Sequence, residues 1–505
     1  MKKSAIILFL ISVLCVAFGF SQKVTRVELL GAKSIQFDQN TVGGARRLIG
    51  DVKLRQEDVT MFCDSAQLFE SDNTFNAFGK VHVTRGGEQK FDVYSNFLKH
   101  QGNEKIASFR DKVVMTDGKM TLKTDFFKYN LKSEIGEYTT GGTIVDSSTT
   151  LISKTGFYYG IEKKFIFSND VEIHNPVEKF SLFTDTLHYM GESKTAYFFG
   201  PTLIINDTNY MTANYGWYNT KTNRAYFAKN ARYHNATQTF TAREMNIDRD
   251  KKEVEAFHQA VFTDTANKVV AKANRVYYID NPHKILLTDS AVAIYIQDRD
   301  SLFMHADTLL SVPDSGGIHK VVKAFHHVKL FHKDFQAKCD SMSFTQSDSI
   351  LKMFGKPVLW NQENQISAEY MELRMVDGKP GTFYLTNTAI IVSQVDSTRF
   401  NQISGKKMKG YIRNNELYKV DVFSNAESVY HALDKNGVLG VNMAGSNDMT
   451  IYIKNKKIER VVLLNTPKGA MKPPVKLSEK ETRLKNFVWY PMQRPLKPRD
   501  IFKWY

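Results

Sequence analysis

Three histidines that lie close together, His326, His327 and His332, are the residues with the clearest potential for metal chemistry. On an extended strand, His326 and His332 point to the same face, as two ligands of one metal ion must. Histidines on a basic strand are more often solvated side chains, and we favour that interpretation. We therefore predict no metal site and no cofactor.

Residue patterns that carry catalysis are absent from the sequence. It contains no Gly-x-Ser-x-Gly or His-Glu-x-x-His motif, and no phosphate-binding loop of the Gly-x-x-x-x-Gly-Lys-Ser/Thr type. The carboxylates are scattered along turn-like segments instead of being paired across a cleft. We interpret the Phe and Tyr stripes as core rather than as a platform for glycans. We predict that the protein is not an enzyme.

The composition indicates a β-rich protein with anionic partners. Its 505 residues include 35 Phe and 23 Tyr, which favour strands. An apolar share of 42 % does not suit a chain built from membrane-spanning helices. The formal charge of +15 suits a phosphorylated lipid, a membrane surface or a polyanionic glycan. No nucleic-acid motif is found, and nucleic acid is not an expected partner.

The first residues have the pattern of a cleavable signal peptide. Lys2 and Lys3 precede an apolar run from Ala5 to Phe20, and small residues flank the position before Gln22. The run is shorter than the roughly 20 residues of a spanning helix. A lipoprotein signal at Cys15 is disfavoured because a leucine stands where a small residue should precede the cysteine. We predict that residues 1–21 are removed and that the mature protein is exported.

Cys63 and Cys339 remain in the predicted mature chain. In a stacked array they would lie in distant strands, beyond the roughly 4.4–6.8 Å between Cα atoms that a disulfide needs. We therefore expect two free cysteines, packed among apolar side chains.

An apolar pattern repeats along most of the chain. Starting from Val52 as an anchor, equivalent positions recur as far as Ile390, in about 12 units of about 30 residues. The residue two places after an anchor is usually apolar too, and side chains at i and i+2 share one face of a strand. The residues that we predict to form one apolar, lipid-binding wall are Val52, Leu54, Val81, Val83, Val113, Met115, Val171, Ile173, Leu203, Ile205, Val292, Ile294, Val328, Leu330, Val358 and Trp360.

A second phrase follows about a dozen residues after most anchors. It opens with a small or polar residue and continues with apolar alternation, as in CDSAQLF (63–69) and TDTLHY (184–189). Because two strands cannot bury an apolar face alone, the units must stack. We predict an all-β fold, an elongated repeat of antiparallel strands that forms an open β-jelly-roll or β-taco groove. It forms either one body or two consecutive bodies.

The pattern changes in the last part of the chain. Residues 401–465 keep strand alternation, whereas residues 466–505 are basic and rich in Pro and aromatic residues. The spacing of Ser478 and Glu481 predicts a capping box at the start of a short helix. The final segment is either a docking tail or a strap packed on its own domain. The predicted domains are residues 1–21, 22–400, 401–465 and 466–505.

Several of these residues resemble the OstA/LptA family of lipopolysaccharide-transport proteins. The likeness is clearest at residues 50–54, 64–69 and 78–81. The segment 400–431, together with Asn486 to Trp489 near the end, is similar to the larger OstA-like members of that family.

The resemblance implies a jelly roll that is open along one side and holds the lipid A acyl chains of lipopolysaccharide. Such a protein is a periplasmic bridge that carries the lipid toward the outer membrane and can associate with that membrane. Other jelly-roll transport components at the inner and outer membranes, and further copies of the chain, can join it end to end by β-augmentation of the terminal strands.

The residues leave two other classes open. The first is a structural or adhesive β-solenoid whose core is filled by its own side chains, and the second is a carbohydrate-active repeat enzyme. The lipid bridge and the solenoid differ in whether the apolar interior is open or filled.

Overall fold

The computed structural model describes residues 26–37, 44–86, 90–146, 148–297, 300–434, 437–455, 457–473 and 477–504. These residues form 34 β-strands and two short 3₁₀ segments, and they contain no α-helix. The predicted all-β repeat of antiparallel strands is confirmed. The predicted signal peptide, residues 1–21, lies outside the described residues. The chain divides into two compact units, unit 1 up to Asn169 and unit 2 from Asp170.

Unit 1 is an antiparallel meander. Its strands are β1 (Glu28–Gly31), β2 (Ser34–Phe37), β3 (Arg46–Gln56), β4 (Val59–Phe69), β5 (Thr74–Arg85), β6 (Phe91–Gln101), β7 (Ile106–Thr116), β8 (Met120–Asn130), β9 (Ile135–Tyr138), β10 (Gly142–Asp146), β11 (Thr149–Ser153) and β12 (Thr155–Tyr159), and β13 (Lys164–Asn175) begins in this unit. The short strands β1 and β2 both pair with β3, and β9 and β10 both pair with β8. Strands β1 and β2 are therefore the two halves of one bent strand, and so are β9 and β10.

Unit 2 is also an antiparallel meander, and most of its strands pair with the next strand along the chain. Its strands are β14 (Phe180–Met190), β15 (Thr195–Asn206), β16 (Asn209–Asn219), β17 (Arg224–His234), β18 (Gln238–Asp248), β19 (Glu253–Asp264), β20 (Val269–Ile279), β21 (Lys284–Ile296), β22 (Ser301–Pro313), β23 (Lys320–Phe331), β24 (Phe335–Thr345), β25 (Ile350–Phe354), β26 (Val358–Asn361), β27 (Asn364–Ser367), β28 (Tyr370–Val376), β29 (Lys379–Gln394), β30 (Phe400–Arg413), β31 (Glu416–Asp434), β32 (Gly437–Lys454), β33 (Lys457–Leu464) and β34 (Lys468–Lys472). The 3₁₀ segments are Pro491–Gln493 and Pro498–Phe502.

Most strands bend near the middle at a corner, where two residues of one strand oppose a single residue of the next, as in a β-bulge. Asp111 and Lys112 form one such corner, with left-handed φ angles of 63° and 57°. Corresponding pairs of left-handed residues recur on alternate bent strands at Gly50-Asp51, Gly79-Lys80, Asn169-Asp170, Lys229-Asn230, His258-Gln259, Asp289-Ser290, His326-His327, Gly355-Lys356, Asn387-Thr388, Ser424-Asn425 and Asn465-Thr466.

These corners explain the repeat in the sequence. Each predicted anchor, from Val52 to Ile390, lies shortly after a corner, so the predicted repeat is confirmed. At Gly79, φ is 71° and an added Cβ would lie 2.5 Å from Oδ2 of Asp64, so glycine is needed for both backbone angle and space. Asp64, which opens the second sequence phrase of its unit, is the single residue opposite that corner.

In unit 1 the corners fold the sheet into two facing walls, formed by the strand halves on either side of the bend. Contacts between side chains cross from one wall to the other. The Nε2 atom of His100 is 2.5 Å from Oε1 of Gln56, and the ring centroids of Phe91 and Tyr129 are 6.5 Å apart. We call the face between the walls the inner face and the opposite face the outer face.

Unit 2 has the same two-walled arrangement. The rings of Phe262 and Tyr278 lie 6.4 Å apart across its inner face. Further along, Nδ2 of Asn415 donates a hydrogen bond of 2.9 Å to Oδ2 of Asp334, which joins turns at opposite edges of the folded sheet. Inner-face residues such as Met245 and Ala256 are fully buried.

Both cysteines are free and buried on the inner face, as predicted. Cys63 pairs with the anchor Val52, and Cys339 pairs with the anchor Val328. Burial raises the pKa of the Cys63 thiol to about 11 and that of the Cys339 thiol to about 12. Both thiols are therefore protonated and act as small apolar side chains.

The end of the chain, residues 477–504, forms a strap on the outer face of unit 2. Three buried glutamines of the sheet, Gln336, Gln365 and Gln402, form hydrogen bonds with the strap. Gln402 donates to the carbonyl of Thr482 at 2.7 Å, and Gln365 donates to the carbonyl of Val488 at 2.7 Å. Of the two predicted alternatives for the C-terminal segment, these contacts support the strap packed on its own unit.

The strap and its neighbours differ from the sequence prediction in detail. The predicted capping box forms, because Ser478 N donates to Glu481 Oε2 and Glu481 N donates to Ser478 Oγ, but a turn follows instead of a helix. Residues 468–472, near the start of the predicted tail, form β34, which pairs with β32. The predicted boundary at residue 400 coincides with the start of β30, which continues the meander.

Candidate functional site

A row of apolar side chains crosses the inner face of unit 1. Met61 pairs directly with Val83, Val83 with Val93, and Val93 with Met115. The row continues through Leu122 and Ile144, and we call it the Met61 row. It arises because side chains alternate along each strand and the register places the inward residues opposite one another.

A cavity of about 560 Å³ lies along this row, between the two walls of unit 1. Its size is within the range of about 300–1,000 Å³ that is common for ligand sites. On the wall facing the Met61 row it is lined by Leu98, Phe109, Phe127, Tyr129, Phe165 and Phe167. Most of this lining is apolar, so the cavity can accept hydrocarbon but offers little to a polar ligand.

Charged side chains from the turns and strand ends line the mouth of the cavity. The five cationic side chains outnumber the three carboxylates, which leaves a positive excess at the opening. The cations are Arg85, Lys90, Lys105, Lys119 and Lys163, and the carboxylates are Glu57, Asp117 and Glu134.

One ion pair crosses this mouth. Nζ of Lys105, in the turn after β6, lies 2.9 Å from Oε1 of Glu57, in the turn after β3, and these turns belong to opposite edges of the folded sheet. Both side chains are partly exposed, at 37% and 46%. Exposed ion pairs typically contribute about 0.2–1 kcal/mol, so this contact can open without a large loss of stability.

His100 makes the stability of unit 1 depend on pH. Its ring is 2% exposed, and burial lowers its pKa from 6.5 to about 4. The unfolded chain therefore binds a proton that the folded chain does not, so stability is full above about pH 6.5 and is lost as the pH falls toward 4. Between pH 7 and 5 the expected loss is about 2 kcal/mol.

His100→Gln keeps a donor for Gln56 but cannot titrate, so we expect it to remove that part of the pH dependence. Hydrogen exchange of unit 1 peptides, measured by mass spectrometry at pH 7 and 5 with correction for the intrinsic rate, provides the comparison. An equal loss of protection in the variant and the parent protein would show that His100 is not responsible.

The predicted wall residues fall on both faces. Ten belong to the buried inner side, and Val83 and Met115 among them line the cavity. The ten are Val52, Leu54, Val81, Val83, Val113, Met115, Val171, Ile173, Val328 and Leu330. Six lie on the outer face, and they are Leu203, Ile205, Val292, Ile294, Val358 and Trp360.

The register assigned to those six residues from the sequence is corrected by one position. Ile204, not Leu203, pairs with the buried Leu182. Trp360 pairs with Gln336, whose Oε1 accepts a hydrogen bond from Arg494 of the strap. The cause is that the outer face is also apolar there, partly because the strap covers it, so alternation alone does not identify the inner side.

Sequence reasoning missed the aromatic wall that faces the Met61 row. Phe109, Phe127 and Phe167 lie before or beside corners, on the strand halves that were not used as anchors. The available signal was an aromatic residue shortly before many of the anchors, such as Phe109 before Val113 and Phe167 before Val171. This signal could be interpreted only once the corner was known. The corner bends the strand, so that these aromatic residues face the anchor residues across the inner face.

The histidine cluster has no metal-binding geometry. His326 and His327 form a corner and contact Asp340 and Asp307, at 3.3 and 2.8 Å, whereas His332 is buried. Within the described ranges, no group of three or more His, Cys, Asp or Glu side chains is placed to hold a metal ion.

No helix in the described part of the chain is both long enough and apolar enough to cross a membrane.

The two folded walls with an apolar cavity between them define an all-β, groove-forming protein. Residues 24–181 and 176–243 match the family described as OstA-like protein, and over these residues the match bears out the predicted resemblance to the OstA/LptA family. No curated protein matches the chain. Among 18 matching chains of solved structures is LptH, the LptA homologous periplasmic component of the lipopolysaccharide transport device of Pseudomonas aeruginosa. It is 14% identical, with a TM-score of 0.19, and the match covers 20% of this chain and 77% of LptH.

Proposed function

We propose that the protein is a periplasmic carrier that holds the acyl chains of lipopolysaccharide on its inner face and passes them toward the outer membrane. The observation that carries this proposal is the apolar cavity of about 560 Å³ between the walls of unit 1. The match to the OstA-like family over residues 24–243 supports the same class. The proposal includes export by the signal peptide 1–21 and assigns no catalytic step to the chain.

The chemistry of the cavity suits an amphipathic lipid. Each acyl CH₂ group that leaves water for the Met61 row contributes about 0.8 kcal/mol. The lipid phosphates would stay outside, where Lys90, Lys105 and Lys119 line the mouth and can form charge-assisted hydrogen bonds. Because successive strands present chemically similar inner rows, a lipid can move along the groove without a deep energy minimum.

The end strands suit assembly into a longer bridge. Among the described strands, β1 and β2 pair only with β3, and β33 and β34 pair only with β32. Their outer edges can extend into a neighbouring jelly-roll component or a second copy of the chain by β-augmentation. We propose these edges as the contacts with transport partners at the two membranes.

Site-specific photo-crosslinking tests the proposal with pairs of adjacent residues on opposite faces. We expect p-benzoylphenylalanine at Val93 or Met115, on the inner face, to capture radiolabelled lipopolysaccharide in cells. The same probe at Tyr94 or Val114, on the outer face, should capture little. Equal capture from both faces, or none from the inner face, would contradict the proposal and favour a structural protein with a closed core.

A further inference from the structure

A second cavity, of about 740 Å³, lies on the outer face of unit 2 and is separate from the inner groove. Its lining residues Asn246, Glu255 and Tyr277 alternate along their strands with Met245, Ala256 and Val276, which are fully buried on the inner face. The sheet itself therefore separates this outer cavity from the inner face of the same unit.

The floor of the outer cavity is a row of side chains paired across successive strands. Trp217 of β16 pairs with Tyr226 of β17, and the row continues through Asn246 and Glu255 to Tyr277 of β20. At about 4.8 Å per strand, Trp217 and Tyr277 are separated by about 19 Å. Both residues are partly exposed, so each end of the row offers an aromatic side chain to solvent.

The polar groups around this row are balanced in charge. Arg224, Lys251 and Arg275 are matched by three carboxylates, Asp248, Glu253 and Glu255. Arg224 Nε lies 3.2 Å from Asp248, and Arg275 Nη2 lies 3.3 Å from Glu255, so the planar groups hold one another in place. A site with balanced charge has no strong preference for a polyanion or an anionic membrane.

Exposed aromatic rings and fixed carboxylate, amide and guanidinium groups are together suited to sugars. Aromatic faces carry a partial negative charge and attract the C–H face of a pyranose ring, while the polar groups donate to and accept from hydroxyls. A peptide that binds by strand addition needs an unpaired sheet edge, and β16 to β20 are paired on both sides. This excludes that mode of peptide binding for the outer cavity.

We propose that the outer cavity is a binding site for a neutral oligosaccharide laid across the strands from Trp217 to Tyr277. The rings at the two ends stack on sugar faces, and Asn246, Glu255 and Arg275 between them bind hydroxyls. This site goes beyond the proposed lipid carriage and does not depend on it, because it occupies the opposite face of the sheet.

Saturation-transfer difference NMR of the full chain with maltopentaose, cellopentaose and mannopentaose, which are long enough to reach both rings, tests the site. We expect at least one pentasaccharide to bind with a dissociation constant on the order of 1 mM, and Trp217→Ala or Tyr277→Ala to weaken it about tenfold. Glu255→Gln keeps the shape but loses the charge that holds Arg275, and should weaken binding several-fold. Tyr384→Ala, which removes an exposed tyrosine outside the cavity, is the matched control and should bind as the parent does.

Two outcomes would overturn the proposal. One is the absence of transfer to every pentasaccharide up to about 10 mM, ten times the expected constant. The other is binding that Trp217→Ala, Tyr277→Ala and Glu255→Gln all leave unchanged. Val93→Asp, which places a charge in the inner cavity of unit 1, should bind the pentasaccharide normally, so failure of the lipid proposal would remain distinguishable.

Discussion

Replacing Phe383 by alanine is expected to lower the free energy of unfolding of unit 2 by about 4 kcal/mol. The Phe383 ring is fully buried on the inner face and pairs directly with Gly410 on β30. A Cβ at Gly410 would overlap this ring, so the ring occupies the space that a side chain would otherwise take. Its loss leaves a cavity that the fixed sheet backbone cannot close.

Urea unfolding followed by tryptophan fluorescence measures this loss selectively. The chain has four tryptophans, and Trp217, Trp360, Trp489 and Trp504 all belong to unit 2. Tyr384→Ala, the next residue along β29, is the control and should cost less than about 1 kcal/mol because its side chain is on the outer face.

A double mutant separates packing from other effects. Gly410→Ala alone should also destabilise unit 2, since its methyl group meets the ring of Phe383. In Phe383→Ala/Gly410→Ala that methyl group enters the vacated space, so the combined loss should be smaller than the sum of the two single losses. Additive losses would contradict the proposed contact.

Gln365→Ala is expected to destabilise unit 2 by about 3 kcal/mol and to release the strap. Gln365 has no exposed surface, and its Oε1 accepts hydrogen bonds from the backbone N–H of Tyr490 at 2.8 Å and from Nε1 of Trp360 at 3.3 Å. Its Nε2 donates to the carbonyl of Val488. Truncation leaves these three groups without that partner beneath the strap.

Limited trypsin digestion measures how accessible the strap is, because the strap contains several lysines and arginines. Urea unfolding followed by tryptophan fluorescence measures the stability of unit 2. We expect faster cleavage within residues 477–504 of Gln365→Ala than of the parent. Gln394→Ala, a glutamine on the exposed end of β29, should cleave at the parent rate. Unchanged cleavage of Gln365→Ala would show that the strap is held by other contacts.

Much of the fold could be predicted from the sequence because its main signals are local. Apolar alternation identified strands, and turn residues separated them. Which residues of a strand point to the inner face could not be predicted in the same way, because a corner places two residues of one strand opposite a single residue of its partner. Val81 follows Gly79-Lys80 directly and is inward, whereas Leu203 stands one place later after its corner and is outward.

The candidate site could be predicted only in part. Val83 and Met115 were identified by their alternation, and both line the inner cavity. The partners of Gln365 and Gln402 could not be inferred, since a glutamine in a strand normally marks a solvated face and these two are buried by a segment many residues away. Such burial depends on long-range packing that no local pattern records.

The meander has a consequence for how the molecule folds. Each bent strand hydrogen-bonds to the strand before it and to the strand after it, so most contacts close only short loops. The edge of the sheet that has already formed can therefore template the next strand while the polypeptide is delivered from the N-terminus onward. The strap is different, since Val488 contacts Gln365 across 123 positions of the chain. We therefore expect the sheet to grow strand by strand from the N-terminus. Docking of the strap comes last and stabilises strands that formed much earlier.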